Sequence, residues 1–127
     1  AKCALPDRPV LCFTGDGGLW YHIAELETAA RYGINAVIVV NNNHALSQDK
    51  RGTERVYEGF SGNSDEIWQF REVDFAHLAE TMGCFGIRVE QPGQIQSALE
   101  QALASGRPAL VDVVSDINGV APLPWSG

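Results

Sequence analysis

The feature that most constrains this chain is an alternation between two periods. Four short runs rich in β-branched residues, "PVLCFT" (Pro9 to Thr14), "NAVIVVNN" (Asn35 to Asn42), "GIRVE" (Gly86 to Glu90) and "PALVDVV" (Pro108 to Val114), are bounded by Gly, Pro or Asn. They predict strands, and the nearly continuous apolar ones predict burial on both faces. Between them apolar residues recur at helical spacing. Leu19, Ile23, Leu26 and Ala30 make one stripe, Phe75, Leu78, Ala79 and Met82 a second, and Ile95, Ala98, Leu99, Ala102 and Leu103 a third. Gly33 and Gly106 stand where left-handed C-caps fall, and Asp74 and Pro92 where an N-cap or first-turn residue falls. The order is β-α-β, a long excursion, then α-β-α-β. Strands joined by crossover helices run parallel, so the predicted fold class is α/β, an open, mainly parallel sheet with helices on both faces.

A chain of 127 residues, 45% of them apolar and 20% charged, has the size of one domain and can bury a core. Nine basic against sixteen acidic side chains give a net charge of −7, which argues against nucleic acid and anionic membranes as partners. Cys3, Cys12 and Cys84 show no CxxC spacing, which predicts a reduced, cytoplasmic setting and no structural zinc. No apolar run approaches the roughly 20 residues of a membrane span, and "AKCALPDRP" has no signal-peptide core. A soluble, intracellular protein is expected.

The excursion from His44 to Val73 is polar, dotted with glycine and without a sustained period. A stretch of this length is either a solvated insertion or a functional, mobile segment. Its start beside "NNN" (Asn41 to Asn43), at the end of a strand, favours function. In a parallel open sheet, ligands bind at the carboxyl ends of the strands, and "GDGG" (Gly15 to Gly18) occupies a second such end. If the two strands are neighbours, Asp16 meets one of the asparagines there. A carboxylate oxygen beside an amide oxygen is hard-cation chemistry, suited to magnesium bound partly through substrate phosphates. Glycines that open a helix leave backbone N–H groups accessible to phosphate. Each piece has a plain alternative: Asp16 as an N-cap, the asparagines as turn formers. A GxGxxG fingerprint would need glycine where Trp20 stands, and the Gly-Lys-Ser/Thr of a P-loop is absent.

The pairing of "GDG" at Gly15 to Gly17 with "NN" at Asn42 and Asn43, one helix and one strand later, resembles the thiamine diphosphate-binding motif. "PDRPVLCFTGDGG", "ELETAARYGINAVIVVNNN", "DFAHLAETMGCFGIRVEQP" and "ALEQALASGRPALVDVVSD" extend the likeness over Ala1 to Asp116, to the C-terminal, diphosphate-binding domain of acetolactate synthase-like enzymes. The resemblance implies that Asp16, Asn43 and the main-chain oxygen of Ala45 bind magnesium, and that Gly15, Gly17 and Gly18 lie against the diphosphate. Many relatives carry Ser or Ala at the position of Gly18, so phosphate binding here would lean on backbone N–H groups.

The likeness further implies that residues 1–127 form a single thiamine diphosphate-binding domain, a fragment of a larger multidomain enzyme that acts on small 2-oxo acids as a decarboxylase or carboligase. It would be a lyase or transferase working as a homo-oligomer with a pyrimidine-binding domain of the same or a neighbouring subunit. The glutamate that activates the cofactor belongs to that separate domain, and the bulky apolar residue that props the cofactor lies upstream of the GDG strand, so the isolated chain is expected to be inactive. A stand-alone binding or interaction module is the alternative, and a sibling acting on oxalyl or benzoyl substrates a third reading. His44 is near the proposed metal but reads first as a loop histidine. His22, Glu25 and His77 read as helix-surface residues.

Overall fold

A computed structural model describes residues 1–119 of the chain. Its elements run β1 (Leu11–Gly15), α1 (Asp16–Trp20), α2 (Glu25–Tyr32), β2 (Val37–Asn42), α3 (Ser47–Val56), a 3₁₀ turn (Ser64–Ile67), α4 (Phe75–Thr81), β3 (Phe85–Val89), a second 3₁₀ turn (Pro92–Gln94), α5 (Ile95–Ala104) and β4 (Ala109–Val114). The strands make one sheet in the order β1-β2-β4-β3, and every pairing is parallel. The predicted class and the four strands are thus present.

Side chains alternate between the sheet's two faces, and each face has its own core. Val40 and Leu110 point to one side, where Leu19, Leu26, Phe75, Ala79 and Cys84 cover them from α1, α2, α4 and the approach to β3. Val37, Val89, Ala109 and Val111 point to the other, under Ala98 and Ala102 of α5. The caps follow the sequence signals. Asp74 Oδ1 accepts the N–H of His77 at 2.8 Å at the start of α4, and Gln91 and Gln94 form a reciprocal capping box before α5. Gly33 ends α2 in a left-handed conformation (φ 63°), which a residue without Cβ adopts at little cost.

Three expectations are corrected. The stripe Leu19, Ile23, Leu26, Ala30 is two helices. The N–H of His22 reaches Leu19 O and that of Glu25 reaches His22 O, and these three-residue closures break the helix between Trp20 and Glu25 while leaving both halves on one face of the sheet. Second, β1 is an edge strand with Leu11 51% and Phe13 76% exposed, because α5 packs on β3 and β4 and does not extend over β1. Third, the excursion is not structureless, since it contains α3 and the first 3₁₀ turn. No residue of α3 is buried, so it lacked the apolar stripe by which a helix is recognised. Among the described residues no helix is long and apolar enough to cross a membrane, and the three cysteines are unpaired.

Candidate functional site

Because β1 and β2 are neighbours in register, Gly15 against Asn41, their carboxyl ends emerge side by side. Asp16, the first residue of α1, is 2% exposed. Its Oδ1 accepts the N–H of Gly17 and its Oδ2 the N–H of Ala45, both at 2.9 Å. Each oxygen thereby meets one donor and keeps acceptor capacity. Gly15, Asp16, Gly17, Gly18, Asn43 and Ala45 all line one open cleft of about 250 Å³. The six positions expected from the sequence are therefore brought together. His44 is not among the lining residues, and His22, Glu25 and His77 are exposed on helices or turns.

The chain enters the cleft by a sharp change of direction. His44 has φ 58°, in the left-handed region that non-glycine residues seldom occupy. It is held there from outside: Phe70 N–H donates to His44 O and Leu46 N–H to Trp68 O, both at 2.7 Å, around an antiparallel bridge between Ala45 and Gln69. This bridge uses the polar groups of residues 44 and 46. The N–H of Ala45 turns instead to Asp16.

The glycines have a local role as well. A Cβ at Gly17 would lie 2.5 Å from Leu46 Cδ2, so the missing side chain admits Leu46 against α1. At Gly18 a Cβ would meet Thr14 Oγ1 at 2.6 Å. The N-cap residue of α1 is Gly15, which has no side chain to cap it.

Beneath the cleft lies a polar network that the sequence analysis did not single out. Asn42 and Asp112 are fully buried. Asp112 on β4 stands in register with Arg88 on β3, whose Nη1 donates to Asp112 Oδ2 at 2.9 Å. The same oxygen accepts the N–H of Phe75 at 3.1 Å, while Oδ1 accepts Asn42 Nδ2 at 2.9 Å. Asn42 Nδ2 also donates to Val73 O at 3.1 Å. Arg88 reaches the surface through Glu72 and Glu90. Burial pushes the Asp112 carboxyl up from its ordinary value, against the downward pull of Asn42, the Phe75 N–H and Arg88. For Arg88 burial acts downward, but the field of Asp112, with hydrogen bonds to Glu90 and Asp112, outweighs it and raises the pKa. The difference follows from enclosure: Asp112 is sealed off, whereas the Arg88 side chain keeps 18% of its exposure. The readable sign was a charge in the middle of "PALVDVV", a strand that the pattern buries on both faces.

Chemically, the cleft offers oxygen donors and backbone amides. Among the described residues no three His, Cys, Asp or Glu side chains cluster as a metal site. Asp16 and Asp49 both line the cleft, and of the two Asp16 is the buried one. A cation here would rest on the carboxylate of Asp16, neutral oxygens from Asn43 and Ala45, and oxygens brought by its ligand. That donor set fits a hard divalent ion bridging to phosphate and does not suit a soft metal.

The pattern of a known family, thiamine pyrophosphate enzyme, C-terminal TPP binding domain, matches residues 1–113. The chain belongs to this family. As a TPP-binding domain it is 36% identical over 128 aligned residues to the acetolactate synthase large subunit of Haemophilus influenzae, covering 99% of this chain and 22% of that protein. It is 33% identical to a 2-hydroxyacyl-CoA lyase of Arabidopsis thaliana over 91% of its own length and 20% of the relative's. Among solved structures, a thiamine diphosphate-dependent 4-hydroxybenzoylformate decarboxylase of Rhodococcus jostii superposes with a TM-score of 0.77 at 33% identity, over 91% of this chain and 21% of that one. The chain spans about a fifth of the length of the relatives it matches. The family's cofactor is thiamine pyrophosphate, the thiamine diphosphate of the sequence analysis.

Proposed function

We propose that this TPP-binding domain holds thiamine diphosphate through a magnesium-bridged diphosphate in the Asp16 cleft, as the cofactor domain of an acetolactate synthase-like 2-oxo acid decarboxylase or carboligase. The observation that carries the reading is the buried Asp16 carboxylate, fixed by Gly17 and Ala45 in a cleft that Asn43 and the glycines also line. Asp16, Asn43 and the main-chain oxygen of Ala45 are the proposed magnesium ligands. Gly15, Gly17 and Gly18 present backbone to the diphosphate, where N–H groups at a helix start stabilise negative charge. When bound, the cofactor supplies the electron sink for carbanion chemistry at a substrate carbonyl. This chain's residues anchor the polar end and fix its orientation.

The domain, taken as residues 1–127, would act within a larger cytoplasmic homo-oligomer. A pyrimidine-binding domain of the same or a neighbouring subunit would face the cleft, and the substrate would be a small 2-oxo acid. Titration calorimetry of the intact protein with thiamine diphosphate, with and without magnesium, tests the reading. Magnesium-dependent binding that Asp16→Ala abolishes supports it, and binding indifferent to both magnesium and Asp16 refutes it.

A further inference from the structure

We propose that Asn42 is a positioning residue for the cleft: its amide, seated on the Asp112–Arg88 pair, clasps the returning end of the 44–73 excursion and so fixes the backbone that carries Asn43 and Ala45 opposite Asp16. The inference rests on the proposed function only for the ligand that the positioned atoms would receive.

The chemistry at Asn42 admits one orientation. Its Nδ2 faces two acceptors, Asp112 Oδ1 at 2.9 Å and Val73 O at 3.1 Å. An amide NH₂ has two hydrogens to bridge them, whereas a carboxylate or a flipped amide would set oxygen against oxygen. Among the described residues the buried Asn42 Oδ1 has no partner. An unpaired buried acceptor destabilises a fold, so packing alone would favour an apolar residue here. What the amide supplies instead is a fixed link between three strands and the excursion. Arg88 Nη1 donates to the same Val73 O at 3.4 Å and Arg88 Nη2 pairs with Glu72 at 3.1 Å, so β2 and β3 converge on the two residues with which the excursion re-enters the fold, and Asp112 of β4 holds both Asn42 and Arg88.

From Val73 the constraint passes outward. Three residues earlier, the N–H of Phe70 holds His44 O, and Trp68 O accepts the N–H of Leu46. His44 keeps its left-handed backbone only while neighbouring groups over-determine it. Released from the Phe70 and Trp68 contacts, residues 43–46 would keep the Ala45 N–H to Asp16 Oδ2 bond and the packing of Leu46 against Gly17 on the side of α1. The clasp therefore sets how well Asn43 and Ala45 stay aligned with Asp16, although Asn42 does not line the cleft.

The test is made in the intact protein with Asn42→Ala, Asn42→Ser and a control, Val37→Ala, which opens the other core at the amino end of β2, the end away from the cleft. Amide hydrogen exchange is measured without ligand, and magnesium-dependent thiamine diphosphate binding well below each variant's unfolding temperature. The expected result is at least tenfold faster exchange at the Ala45 and Phe70 amides in Asn42→Ala, together with cofactor affinity weakened about tenfold or more. Asn42→Ser, with one donor hydrogen in place of two, should fall between it and wild type. Val37→Ala should lose stability while its affinity stays within about twofold. Unchanged exchange at Ala45 and Phe70, or faster exchange with unchanged affinity, overturns the positioning role. The exchange measurement needs no cofactor, so a wild type that binds none refutes the proposed function and leaves the clasp to be judged by exchange.

Discussion

The carboxylate of Asp16 accepts the main-chain N–H of Ala45 at 2.9 Å, joining two strand ends that lie 29 residues apart in sequence. One side chain thus ties together two segments of the cleft. An amide cannot do the same, because it has one acceptor oxygen for the two N–H groups of Gly17 and Ala45. Asp16→Asn is expected to destabilise the fold by about 1–3 kcal/mol through the donor left facing an N–H, measured by urea unfolding.

Removing proposed ligands should weaken binding, measured well below each variant's unfolding temperature. Asp16→Ala and Asn43→Ala are each expected to weaken magnesium-dependent cofactor affinity at least about tenfold, since even outer-shell partners of a metal are worth about 10–100-fold. Asn41→Ala, which also lines the cleft, should have much the smaller effect. Equal affinity in all three variants, with magnesium present, would sink the ligand assignment.

Gly17→Ala forces a methyl to within 2.5 Å of Leu46 Cδ2. Overpacking of this kind destabilises by about 1–3 kcal/mol. The double variant Gly17→Ala, Leu46→Ala should recover part of the loss. A strictly additive pair in denaturant titrations would show that the two residues do not share this space.

The order of strands and helices was legible because strands buried on both faces and one-sided helical stripes are local signals. The GDG and NN motifs marked the cleft for the same reason. Which asparagine turns inward was not legible from three in a row: Asn42 is buried and Asn41 and Asn43 line the cleft, as alternation along a strand requires once one face is known. The Asn42, Asp112 and Arg88 network depends on cross-strand register, which no local window contains. α3 escaped because its residues bury nothing, and the exposure of Leu11 and Phe13 because it depends on where a helix that begins 84 residues after Leu11 lies, roughly a full domain length away.

Asp112 carries a pH dependence of definite sign. Its folded pKa is raised from 3.8 by burial, so between that value and the folded pKa the native state binds the proton more tightly than the unfolded chain. The group's contribution is then greatest below its unfolded pKa and declines as pH rises through the window above it. Asp112→Asn removes this titration. The stability difference between wild type and variant should therefore shift in favour of wild type on acidification from neutral pH towards pH 4, as read by unfolding midpoints across the series. A difference independent of pH would show that the carboxyl is not held up. Asp112→Ala, which takes the acceptor from Asn42 Nδ2 and the Phe75 N–H while Arg88 keeps Glu72 and Glu90, should destabilise by about 1–3 kcal/mol at neutral pH.

The Leu46 to Gly62 stretch is expected to exchange its amide hydrogens much faster than Val37 to Val40 in the cofactor-free domain, since α3 buries no side chain. Protection should rise when magnesium, cofactor and a facing domain are present. Protection equal to that of the β2 strand in the free domain would make the segment ordinary packing.

The strand that delivers Asp16 also has a consequence for handling the protein. Among the described residues no strand pairs with the outer side of β1, which leaves its main-chain amides and carbonyls open there, and the strand displays Leu11 and Phe13 to water. A short apolar rim of this kind is a template on which a second chain can add a strand. At high concentration the domain alone should self-associate through this rim, and a lysine in place of Phe13 should suppress the association while leaving the Asp16 carboxylate where it is.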